Sequence, residues 1–175
     1  MRKFGVFTSF IFIAILLAGI YGILHDQITY SISPEYFTKF KYAQFGFEPE
    51  WFGGHRQTVA AIGFLAAWWM GLFIGIPLGS LSLSFPDHKT MTAILSKSIG
   101  IVLVVTVLTA IIGFMYGRFY LTKTGVDWWL PDDLIDRSAF ITVGSIHNFS
   151  YLGGIIGLLA SITYLLFRKV RSKQN

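Results

Sequence analysis

The sequence predicts an all-α membrane protein: a four-transmembrane-helix bundle with a short interfacial helix in the first outer loop. Three observations predict it. Hydrophobic residues make up 54% of the 175 and charged residues only 13%, about half the charged share of an ordinary soluble domain. Four stretches run for 20 to 30 residues without a formal charge, and a helix rising about 1.5 Å per residue crosses the hydrocarbon layer in about 20. Short basic segments alternate with longer acidic ones between these stretches, which is how orientation in a bilayer is encoded. The length suits one compact membrane domain over residues 1–175.

The spans follow from the gaps. Between Lys3 and Asp26 lie 22 uncharged residues, between Arg56 and Asp87 lie 30, between Lys97 and Arg118 lie 20, and between Arg137 and Arg168 another 30. They place helices over about 4–24, 57–80, 97–116 and 146–167. The first apolar run exceeds the usual 7–15 residues of a signal peptide and lacks an A-x-A site, so it reads as an uncleaved anchor.

Arg2, Lys3, Lys89, Lys97, Arg168, Lys169, Arg171 and Lys173 mark one side. By the positive-inside rule this side is cytoplasmic and holds both termini. Eight of the nine acids, all but Asp87, then fall outside. The net charge of +5 is therefore a topology signal. It does not point to nucleic acid, and the partner it implies is the lipid bilayer, with an attraction of the basic tail to anionic lipid.

Small residues recur every fourth position in each span: Ala14, Ala18 and Gly22; Gly63, Ala67, Gly71, Gly75 and Gly79; Thr109, Gly113 and Gly117; Gly153, Gly157 and Ser161. Helices in a bilayer associate by close backbone approach along such stripes. The stripes serve either an internal bundle, with the second helix most central, or a homo-oligomer. Pro77 removes one backbone bond from that helix and should bend its cytoplasmic end.

The outer connections carry helix starts. Ser33-Pro34-Glu35 pairs a capping serine with proline at the first helical position. Tyr36, Phe37, Phe40 and Tyr42 follow, interleaved with Lys39 and Lys41, and read as a short helix on the membrane surface. Pro131-Asp132-Asp133 is a second start, so the fourth helix can begin well before residue 146, with Gly144 its weakest point. Trp51, Trp128 and Trp129 suit an outer aromatic belt; Trp68 and Trp69, deep in the second span, pack inside or face lipid.

The absence of cysteine excludes disulfides, thiolate metal sites and iron–sulfur clusters. No glycine-rich nucleotide fingerprint is present, and Ser145 and Ser150 lack a nucleophile-elbow setting. No carboxylate falls clearly inside a span, which argues against a proton-coupled carrier. His88, beside Pro86, Asp87 and Lys89, reads as a solvated loop residue. The other histidines differ: His25 ends the first span, His55 precedes the second, and His147 opens or lies within the fourth, all at the outer face. Three imidazoles converging there, with Asp26 or Glu35 as ligand or orienting group, make a candidate site for a divalent transition metal with an open position. The competing reading is that these histidines only cap and bridge helices. His25 and His147 can also be axial ligands of haem, with the reservation that both lie near a membrane edge.

The run His25-Asp26-Gln27-Ile28-Thr29-Tyr30 with Pro34-Glu35-Tyr36-Phe37-Thr38, and Ala67-Trp68-Trp69-Met70-Gly71-Leu72 through Gly75, Pro77 and Leu78, resemble a group of small bacterial four-helix inner-membrane proteins. The resemblance covers about a fifth of the chain. It implies a bacterial inner-membrane location and brings no reaction with it. The leading expectation is thus an inner-membrane bundle with an outer-facing site on His25, Asp26, Glu35, His55 and His147 that binds a divalent metal. The alternatives are a non-catalytic accessory subunit or scaffold of a larger membrane complex, acting through residues 34–47 and the stripes, and a haem-binding membrane protein.

Overall fold

The computed structural model describes residues 1–171; Lys173, counted above in the basic tail, lies outside them. Every regular element among the described residues is helical. Four helices are long and apolar enough to cross a membrane: α1, Arg2–Ile32; α2, His55–Ser82; α3, His88–Tyr116; and α4, Arg137–Arg171. All four are longer than the expected spans. α1 continues seven residues past His25, because Asp26 is buried and partnered rather than solvated. α4 begins at Arg137, where the Asp136 carboxylate accepts the Ala139 N–H at 2.8 Å. Pro131 does not start this helix, and α4 runs through Gly144 unbroken. α2 likewise continues through Pro77 to Ser82. His88 is the first residue of α3, behind Asp87, whose Oδ1 accepts the N–H groups of Lys89 and Thr90.

The helices pack most closely as two consecutive pairs, α1 with α2 and α3 with α4. The small-residue stripes make both seams. A Cβ added to Gly22 would meet the Gly63 carbonyl and lie 2.6 Å from the Cβ of Ala67. One on Gly71 would lie 2.5 Å from the Ile15 Cα. Gly113 faces Phe149 and Ser145 in the same way, and Gly157 faces Val102. Backbone-to-backbone approach of this kind replaces the hydrophobic drive that lipid does not provide.

The two pairs meet at both ends of the bundle and leave space between them. At the end carrying the termini, Phe10, Ile74, Leu78, Phe85, Met91, Leu95 and Leu165 form a core. At the other end Tyr36, Phe37, Tyr42, Val59, Ile62, Phe140 and Val143 form a second. Between them lies a cavity of about 80 Å³, walled by Ala18, Gly22, Ala67, Met70, Val102 and Gly154.

The segment after α1 is a lid on the second core. Helical turns at Pro34–Tyr36 and Tyr42–Phe45 flank a π-helical stretch, Phe37–Lys41. Tyr36, Phe37 and Tyr42 are buried beneath it. These aromatics therefore point into the bundle rather than along a surface, since the ends of α2 and α4 offer them a larger apolar contact. Ser33 stands at the cap position, but its buried hydroxyl has no partner. Trp68 and Trp69 are partly exposed on the flank of α2, where Trp69 stacks on Tyr151 with ring centres 5.9 Å apart.

Candidate metal centre

Two turns below the end of α1, Asp26 is 3% exposed and faces α4. Its Oδ1 lies 2.9 Å from His25 Nδ1 and 3.2 Å from His147 Nε2. Its Oδ2 is buried with no hydrogen-bond partner. His147, 5% exposed and ten residues into α4, is fixed from behind: its Nδ1 is 2.9 Å from the Val143 carbonyl, one turn back. The other nitrogen of His25 lies 3.0 Å from Ser150 Oγ, and Tyr21 donates its hydroxyl to that same oxygen at 3.2 Å. The two imidazoles touch edge to face, centres 4.6 Å apart. Tyr36 from the lid covers His147, stacked at 4.8 Å.

The hydrogen positions at His147 are decided by its partners. A carbonyl oxygen can only accept, so Nδ1 carries the hydrogen and the neutral ring turns a bare Nε2 lone pair on Asp26. Two acceptors 3.2 Å apart repel unless a cation lies between them, and a buried carboxylate with one oxygen unpartnered is unstable by a further ~1–3 kcal/mol. The arrangement thus calls for positive charge at this point, as a proton or as a metal ion. One donor atom from each of His25, Asp26 and His147 lies within 4.8 Å of the others. Ligands about 2.1 Å from a tetrahedral ion stand about 3.4 Å apart, so small side-chain shifts close the set. The outer contacts are those of a metal site as well. Val143 and Ser150 hold the far nitrogens of the two histidines, which sets ring orientation and tautomer.

The other expected ligands are elsewhere. His55, exposed at the start of α2 after a turn through Gly53 and Gly54 at φ +85° and +134°, lies 3.0 Å through Nδ1 from the Tyr42 hydroxyl. It also stacks on Tyr30. It shares the lid end of the bundle with the triad but stands outside it, on the flank of the lid. Glu35 turns outward. Its two oxygens accept the backbone N–H groups of Ile135 and Asp136 at 3.0 and 2.8 Å, and Lys39 pairs with it at 3.0 Å. These backbone donors, with Lys39, hold the Glu35 carboxyl down at about 2. Glu35 is a clasp between the lid and the approach to α4.

Asp26 also corrects the expectation that no carboxylate sits inside a span, because α1 extends past it and buries it. The haem reading finds no room: His25 and His147 are in contact with each other, with no slot for a macrocycle between the rings. Ser150, Tyr21 and the Val143 carbonyl belong to the site and were not singled out as part of it. The signal was spacing, since Tyr21 is four residues before His25 and Ser150 three after His147, neighbours on a helix face.

No family model matches the chain, no curated protein matches its sequence, and no solved structure matches its fold.

Proposed function

We propose that this chain is a bacterial inner-membrane protein that binds one divalent transition-metal ion through His25, Asp26 and His147, at the outer end of a four-helix transmembrane bundle. One observation carries the reading. Three Lewis-basic groups on two helices converge on a buried point, with no donor for Asp26 Oδ2 and a protein acceptor already behind His147. Imidazole and carboxylate together suit zinc and its neighbours. Three protein ligands leave a fourth position for water or substrate. The basic segments put the termini and the α2–α3 connection in the cytoplasm, so the lid lies at the outer membrane surface.

Protein purified from zinc-supplemented cells should retain close to one equivalent of metal by mass spectrometry, and both His147→Ala and Asp26→Asn should lose it. Wild-type protein that is free of metal and unchanged in stability on zinc addition would end this reading.

A second reading rests on the continuous chain Tyr21–Ser150–His25–Asp26–His147: a buried relay in which the required positive charge is a proton. The same metal assay separates the two, because a relay retains no stoichiometric metal.

A further inference from the structure

The triad has an approach from the side. Between α1 and α3 runs a groove of about 410 Å³, lined by Leu24, Ile28, Val107, Ala110, Ile111 and Phe114 and reaching Tyr21 and His25. The same Tyr21 and His25 line the cavity of about 80 Å³ that holds Asp26 and His147. Two side chains of the site therefore stand between a buried, largely apolar cavity that carries the triad in its wall and a groove open on the apolar flank of the molecule. Leu24, Ile28, Val107 and Ile111 are exposed there.

We infer that the occupant of this groove is a long-chain fatty acid drawn from the bilayer, its hydrocarbon tail between α1 and α3 and its carboxylate at the open position of the bound ion. The inference rests on the metal reading above. Size and lining support the tail, since the groove falls within the range of about 300–1,000 Å³ typical of ligand pockets and its walls are almost wholly apolar. Charge supports the head. A divalent ion on one carboxylate and two neutral imidazoles leaves the centre cationic. An uncompensated buried cation favours an anion. The inner pocket has room for a few water volumes, which a planar carboxylate fits and a phosphodiester carrying glycerol and two chains does not.

The test uses zinc-loaded full-length protein in a non-ionic detergent and a fluorescent polyene fatty acid as probe. Saturable binding, displaced by palmitate and not by hexadecane, is expected. Ala110→Trp and Val107→Trp fill the groove from its lipid side without touching a ligand, and each should weaken binding by about tenfold or more with zinc content unchanged. Zinc content also reports that each variant is folded. Probe binding that is full in both variants at full zinc content overturns the fatty-acid inference and leaves the metal reading intact. Displacement by hexadecane as strong as by palmitate overturns it too, since the head then plays no part. Wild-type protein that carries no zinc overturns the metal reading, and this inference with it.

Discussion

At Asp26 one oxygen faces two imidazole nitrogens and the other is buried with no hydrogen-bond partner. That imbalance is the clearest chemical statement in the molecule, because buried polar atoms are almost always paired. Ser150 supports it from outside by holding the far nitrogen of His25. Ser150→Ala should keep the fold and weaken metal affinity by about 10–100-fold, read by competition with a chromogenic chelator; an unchanged affinity would remove Ser150 from the site. Glu35 supports a different prediction. Its carboxyl titrates at about 2, against 4.5 for an ordinary one, because backbone N–H groups favour the charged form. A depressed value in the folded protein means that the clasp's contribution is complete above the ordinary range and is lost as pH falls toward 2. Glu35→Gln should therefore narrow the gap between melting temperatures measured at about pH 5 and about pH 2.5. Equal gaps in wild type and variant would show that the clasp adds nothing. His25, Asp26 and His147 were visible in the sequence as polar residues at one membrane depth. His55 and Glu35 shared that depth, but depth along the bilayer normal does not fix lateral position.

The α1–α2 seam shows how elements were readable from spacing alone. Small residues at every fourth position mark where two backbones touch, and Gly22 and Gly63 do touch. Gly22→Leu should force the helices apart and destabilise the protein by about 1–3 kcal/mol. Gly100→Ala, where an added Cβ meets nothing within 4 Å, should be neutral or stabilising by up to ~1 kcal/mol. Melting in detergent checks both, and similar losses in the two variants would deny the seam its special role. The lid was only half readable. Its aromatic and basic alternation suggested a surface helix, while the side on which its aromatics pack depended on the α2 and α4 ends beneath it. The start of α4 was missed by several residues because Asp136, not Pro131, supplies its cap.

Across the whole molecule, orientation rests on lysine and arginine counts and is open to direct measurement. The chain contains no cysteine, so single substitutions report alone. Thr38→Cys, in the exposed part of the lid, should react with a membrane-impermeant maleimide in intact cells. Ser84→Cys, exposed between α2 and α3, should react only after lysis. The reverse pattern would invert the topology and place the site on the cytoplasmic side. The two-pair architecture also leaves space in the middle of the bundle, where the pairs stay apart between two cores. Both the triad and the lateral groove border that space.

The sequence by itself determined that four apolar helices exist and which faces of them are small enough to touch. Those properties are local: they depend on residue type, spacing and charge along one helix. Only the tertiary structure decided that Asp26 is buried, that His147 meets it while His55 does not, and that Glu35 serves as a clasp. These depend on the rotation of α1 against α4 and on where the lid folds back, and no periodicity within a single helix encodes either.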